Sequence, residues 1–315
     1  MIGARAALAV LLSTALTVGS ATATSGATPA PQPIVAGARC AWPVRADRET
    51  LNVAYPDTSA TYWVQRYSLA PGEGITYRWT RPHARYSSFV VYDATGSVVG
   101  HRPDRSMSFD RRGRATISIL PGEEGDAEIR TAPVGANGRS EGSVIYRVYV
   151  PDDPRDPAGG VPLPVATVRR TDGSRVRVRN CARPIASPDI AATIARMDSI
   201  TGTPVPETPV FIRPRNDGGN LYPNPDNTYV ATIVDHRPRQ VVVIRGHAPS
   251  FPDTRAGARI TGREQLRYWS FCTNEYAKPY RTSACRNDAR IATKRGEYTI
   301  VVSTRADRPE HQIGR

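Results

Sequence analysis

Apolar and polar residues alternate with a period of two along most of the chain. Tyr62-Trp63-Val64, Phe89-Val90-Val91-Tyr92, Ala115-Thr116-Ile117-Ser118-Ile119, Val144 to Val150, Val241 to Ile244 and Tyr298 to Val302 are short runs of β-branched and aromatic residues. Turn formers such as Pro71-Gly72, Ala94-Thr95-Gly96 and Pro121-Gly122 bound them. Such runs between turn clusters read as strands, and many at close spacing predict β-sandwich architecture. One stretch has helical spacing instead. Ser187-Pro188-Asp189 supplies an N-cap, a first-turn Pro and a first-turn acid, and Ile190, Ile194 and Met197 share a face before Gly202. The pattern predicts one short helix near residues 188–200, packed on the β core or bridging two lobes.

The chain also repeats itself. Arg85-Tyr86-Ser87-Ser88-Phe89 and Arg267-Tyr268-Trp269-Ser270-Phe271 agree at four of five positions. Pro56-Asp57 and Thr61-Tyr62 precede the first; Pro225-Asp226 and Thr228-Tyr229 precede the second. Gly142 and Gly296 open the final run of each copy, with Asp156-Pro157 and Asp307-Arg308-Pro309 beyond. Matches in the same order predict a duplicated β unit with loops inserted in one copy. The expected fold is all-β. Two related sandwich-like lobes, 40–160 and 216–315, flank a connector, 161–215, that carries an Arg-rich hairpin and the helix.

Residues two apart on a strand share a face, so Arg85, Ser87 and Phe89 point one way, as do Arg267, Trp269 and Phe271. With Phe in the core, each Arg lies at the core's rim and needs a carboxylate. Asp57 is the expected partner of Arg85, and Asp226 of Arg267. A motif present in both copies points to support of the fold rather than to a unique active site.

The N-terminus places Arg5 before an apolar stretch from Ala6 to Val18 and a small-x-small site at Ala21-Thr22-Ala23. These are the parts of a cleavable export signal over residues 1–23. Residues 24–39, rich in Ser, Thr, Ala and Pro, read as a flexible segment. No apolar run of about 18 residues follows, so the mature, secreted chain is not expected to span a membrane. Export makes disulfides the expected state of the four Cys. Three pairings are possible. Cys272 with Cys285, 12 residues between them, suits a hairpin or Ω-type loop, and Cys40 with Cys181 ties the first ordered residues to the end of the first half. Metal-ligand spacings such as C-x-x-C are absent and the five His are scattered, so neither a metal nor another cofactor is expected.

Composition narrows the class. Hydrophobic residues make up 39% of 315, and Pro (28) and Gly (25) are frequent without repeating. This indicates a folded, loop-rich chain and excludes collagen, coiled coil and long disorder. Net charge is +13, and Lys278 and Lys294 are the only Lys among 42 basic residues. Loss of Arg5 with the signal leaves 41 basic against 29 acidic residues, or +12. Five Arg concentrate in one hairpin. Alternation in Ser174-Arg175-Val176-Arg177-Val178-Arg179 puts Arg175, Arg177 and Arg179 on one face, with Arg169 and Arg170 across a Thr171-Asp172-Gly173-Ser174 turn. Such a ribbon reads as an anion-binding surface, or as a solvated face in an Arg-rich chain.

Catalytic signals are weak. Gly138-Arg139-Ser140-Glu141-Gly142 fits G-x-S-x-G, but turn formers precede it and a strand follows, the reverse of a nucleophile elbow. It reads as a hairpin loop. Asp57, Asp226, Glu264 and Glu275 lie near aromatic residues and are the candidates for a carboxylate pair. Tyr62, Trp63, Trp79, Tyr86, Tyr268 and Trp269 suit a sugar-binding surface or, more simply, β cores.

The strings Cys40-Ala41-Trp42-Pro43, Asn52 to Asp57, Ala84 to Phe89 and Arg267 to Cys272 resemble a family of uncharacterised secreted actinobacterial proteins. The chain more distantly resembles bacterial β-sandwich domains of unknown function. The resemblance covers most of the mature chain, implies a secreted β-rich protein and carries no catalytic residue. The leading expectation is non-catalytic binding of an anionic or carbohydrate polymer of the envelope or extracellular space. Secretion argues against nucleic acid as the physiological partner. The alternative is a secreted carboxylate-dependent hydrolase of a polysaccharide or cell-wall polymer.

Overall fold

The computed structural model describes residues 40–121, 128–185, 194–195, 204–213 and 222–308. The predicted signal and the segment 24–39 lie outside these residues, as does nearly all of the helix expected over 188–200. Its two described residues, Ile194 and Ala195, are helical.

All six apolar runs fall in strands. In chain order the first ten are β1 (Val44–Ala46), β2 (Ala60–Leu69), β3 (Gly74–Thr80), β4 (Ala84–Asp93), β5 (Val98–Pro103), β6 (Arg114–Leu120), β7 (Glu128–Arg130), β8 (Ser140–Pro151), β9 (Val165–Arg169) and β10 (Arg175–Val178). They form two five-stranded sheets. The first has the order β1-β2-β8-β4-β5 and the second β10-β9-β3-β6-β7. All pairings are antiparallel except β6 with β7.

One buried core joins the inward rows of both sheets. Trp63, Phe89 and Tyr146 come from the first sheet; Tyr77, Trp79, Ile117 and Val168 come from the second. Trp42 is fully buried among Tyr77, Phe89 and Tyr146, and donates its indole N–H to Pro164 O at 2.7 Å. Burial of each large aromatic side chain stabilises by roughly 1.5–3 kcal/mol relative to exposure.

The Arg-rich hairpin is not in a connector, as expected, but completes the second sheet. β9 pairs with β3, and Ala166, Val168 and Val178 enter the shared core. The same alternation that turns the Arg outward turns these apolar residues inward, where the second sheet needs them. Cys40–Cys181 is bonded, and Ala41 bridges Asn180 alongside the end of β10. The other pair, Cys272–Cys285, is bonded as expected.

The second half is also β but much thinner. Strands β11 (Val242–His247), β14 (Thr293–Lys294) and β15 (Glu297–Val302) form one sheet, in the order β11-β15-β14. Strands β12 (Ser270–Asn274) and β13 (Thr282–Asn287) form a two-stranded sheet. Among the described residues beyond Val178, Tyr280 is the one buried hydrophobic residue. No described helix is long and apolar enough to cross a membrane.

Candidate functional site

The outer face of the second sheet is open and basic. Arg175 lies opposite Arg169, and Arg177 opposite Thr167. Thr167 in turn faces Thr76, and Thr76 faces Ser118. Neighbouring strands are about 4.8 Å apart, so two rows of side chains cross four strands. One row runs Arg177, Thr167, Thr76, Ser118; the other runs Arg175, Arg169, Gly74 and Leu120. A depression of about 130 Å³ opens over them, lined by Gly74, Thr76, Ser118, Leu120, Thr167, Arg169 and Arg175.

The charge of this face is not neutralised from within. Arg169, Arg175, Arg177 and Arg179 make no ion pair among the described residues, and Arg169 Nε is buried without a hydrogen-bond partner. Glu73, next to Gly74, is engaged by Arg139 at 3.0 Å and by the Ala70 N–H. Asp172 in the hairpin turn accepts from Ser174, and that bond, then Arg170, holds its carboxyl below the usual range. Arg175, Arg177 and Arg179 are exposed, Arg169 is half-buried, and Arg170 sits by the turn. Like charges directly opposite on a sheet are destabilising, so the Arg175–Arg169 pair costs the fold something.

Sequence reasoning named the five Arg but missed Gly74, Thr76, Ser118 and Thr167. Alternation marks Thr76 as outward, since Ile75 and Tyr77 are core residues. What it does not mark is that β3 lies between β9 and β6.

The outer face of the first sheet is covered by the second half of the chain. The two repeated segments meet around the start of β4, with partners other than those expected. Arg85, fully buried, places Nη1 2.7 Å from the buried Asp288 carboxylate and Nη2 3.0 Å from Asp253. Arg267 holds Asp104 at 2.9 and 3.1 Å, and also donates to the Arg85 carbonyl. Asp57 accepts instead from Tyr268 and Ser270, each at 2.6 Å. Asp226 accepts from Tyr86 at 2.7 Å and Arg105 at 3.0 Å. The reason is alternation. Tyr86 follows Arg85 in β4 and turns to the opposite face, where it reaches Asp226, and Tyr268 follows Arg267 and reaches Asp57.

The two hairpins share their register. Ser88 opposes Pro103 and Phe89 opposes Arg102, while Ser270 opposes Asn287 and Phe271 opposes Arg286. Asp104 and Asp288 follow, each opening a short 3-10 turn. Each accepts the backbone N–H of the third motif residue, Ser87 or Trp269. Each Arg therefore pairs with the Asp of the other hairpin. Burial pushes the Asp288 carboxyl up, against the pull of Arg85 and the Trp269 N–H. Burial likewise raises the phenols of Tyr86, Tyr268 and Tyr149, the last to about 12. They remain protonated donors at neutral pH.

The catalytic candidates other than Glu275 are occupied by structural bonds. Ser140 is fully buried, its hydroxyl hydrogen-bonded with Ala132 O and Thr131 Oγ1, and opens β8 without a following helix. Glu264 is exposed and bonded by Thr261, which lowers its carboxyl to about 2. Glu275 is also exposed. Asp57, Cys272 and Cys285 bring one ligand atom each within 4.8 Å of one another. The disulfide takes both sulfurs, so no thiolate is present to ligate a metal.

No family model and no curated protein matches the chain. Among solved structures, an uncharacterised protein from Burkholderia cenocepacia shares the fold at a TM-score of 0.52 and 12% identity, over 83% of this chain and 71% of that one. A Vibrio parahaemolyticus protein overlaps 35% of this chain and 31% of its own, at a TM-score of 0.27 and 18% identity. That second likeness carries no argument.

Proposed function

We propose that this is a secreted, non-catalytic protein that binds an anionic extracellular polymer through the outer face of its second sheet. One observation carries the reading. Arg169, Arg175 and Arg177 cluster on an open sheet face with no carboxylate of the described residues set against them. Guanidinium groups suit bidentate contact with carboxylate, phosphate or sulfate oxygens. Two disulfides and the signal-like N-terminus support export, which favours an envelope polymer over nucleic acid. Three of the four candidate acids, Asp57, Asp226 and Glu264, are held by Tyr, Ser, Thr and Arg donors. The same reading takes the two five-stranded sheets as a β-sandwich and the two matching hairpins as the surviving trace of a duplication. The shared core supports the first, and the common register with its following Asp supports the second.

The test is to replace Arg175, Arg177 and Arg179 together by Ser and measure retention on immobilised acidic polymer. Wild-type retention should fall steeply with salt, since exposed pairs beyond about 8 Å are screened at physiological ionic strength. The triple variant should elute at clearly lower salt. Equal retention of the two proteins reduces the hairpin to a solvated face.

A further inference from the structure

We infer that the depression over Gly74 is a subsite for one tetrahedral oxyanion, a phosphodiester or sulfate ester group, and this rests on the polymer-binding reading above. The donors define the ligand. Arg175 and Arg169 approach from β10 and β9, and Thr167, Thr76 and Ser118 approach from the neighbouring row. The Thr76 and Ser118 hydroxyls lie 3.3 Å apart. One O–H is spent between them, and the other is free to donate outward. The Thr167 hydroxyl and Arg169 Nε have no partner among the described residues.

The floor is backbone. A Cβ at Gly74 would lie 2.2 Å from Leu120 Cδ2, so a side chain there would displace the Leu120 wall and occupy the space between it and Arg169. A planar carboxylate is satisfied by one bidentate Arg. Two guanidinium groups and a row of hydroxyls on separate strands instead address oxygens pointing in several directions, as in a phosphate or sulfate group.

The subsite and the ribbon can be separated because they use different side chains. Thr76→Val with Thr167→Val removes hydroxyls and keeps every charge and nearly every volume. Arg177→Ser with Arg179→Ser removes charge outside the depression. Titration of ¹⁵N-labelled protein at constant ionic strength with inorganic sulfate, inorganic phosphate and acetate reads the Arg169 Nε–H resonance directly. Sulfate and phosphate should shift it saturably, and acetate about tenfold more weakly. The Thr double variant should lose about tenfold in sulfate affinity, equivalent to one charge-assisted hydrogen bond. The Arg177/Arg179 variant should lose polymer retention yet keep saturable, weaker sulfate binding. A sulfated oligosaccharide, a polyglycerol-phosphate oligomer and an oligogalacturonate, compared on wild type and the Thr variant, name the source of the group. The expected result is sensitivity for one of the first two and none for the third.

An Arg169 resonance unmoved by sulfate and phosphate, or moved equally by acetate, overturns the subsite. So does an unchanged sulfate affinity in the Thr variant. Saturable sulfate binding without retention on any acidic polymer overturns the polymer reading instead and leaves the subsite standing.

Discussion

The two sheets share a core, yet their outer faces have opposite fates. In the first sheet both faces of β4 are buried almost end to end, because Tyr86, Tyr92 and Tyr149 are covered by Tyr268 and Tyr222 from the second half. In the second sheet the outward residues of β6 and β10 remain largely exposed, and Arg and hydroxyl side chains line them. The ionic chemistry differs accordingly. Arg147 on the covered side is buried against the Tyr92 hydroxyl and Tyr222 carbonyl, and Arg85, on the inward row at the start of β4, is buried against carboxylates of the second half. Arg175 and Arg177 on the open side have no ion-pair partner among the described residues. A buried guanidinium without partners would be too costly to keep, so Arg85 and Arg147 both draw acceptors from the second half of the chain. The open face has no such demand, and its unpaired charge remains available to a ligand.

Substitution of Arg should therefore have opposite signs at the buried Arg85 and on the open face. Arg85→Ala leaves the Asp288 carboxylate buried and unpaired, and should destabilise by about 3–5 kcal/mol in urea unfolding. A loss below 1 kcal/mol would mean that the second half is not anchored through this pair. Tyr86→Phe and Tyr268→Phe each remove a bond to a carboxylate and should cost about 1.5–3 kcal/mol apiece. Near-equal losses are expected because the two Tyr are counterparts in matching hairpins; a large inequality speaks against that correspondence. The smallest effect lies on the open face. Arg175→Thr relieves a like-charge cross-strand pair and should stabilise by about 0.2–1 kcal/mol at low salt, fading as salt is added. Destabilisation there would show that Arg175 has a structural partner after all.

The strands were legible because each apolar run is short, β-branched and closed by turn formers. Val144 to Val150 and Ala115 to Ile119 could hardly fold otherwise. The disulfides followed from an even count and from spacing. Two things were hidden. The chain gave no sign that β9 would lie beside β3, so the Arg hairpin looked like a connector and the Thr167–Thr76–Ser118 row was invisible. The partners of Arg85 and Arg267 were hidden as well. Arg102-Pro103-Asp104 and Arg286-Asn287-Asp288 are a recognisable second repeat, but crossed pairing over roughly 160 to 200 residues is set by how the hairpins dock, which no local pattern encodes. The thin second half has the same cause. Its alternation is good enough for strands, but many of its apolar residues, such as Val230 and Val243, stay exposed rather than bury one another, and it packs Tyr268 and Tyr222 on the tyrosines of the first sheet.

The Cys40–Cys181 bridge has one more consequence. All ten strands of the two-sheet unit lie between its two sulfurs. A protease that cuts any loop in that span, in surroundings where such enzymes are common, produces two peptides that remain one covalent molecule. The Arg face and the core beneath it would then be carried by a nicked chain that cannot come apart until its sulfur clasp is reduced.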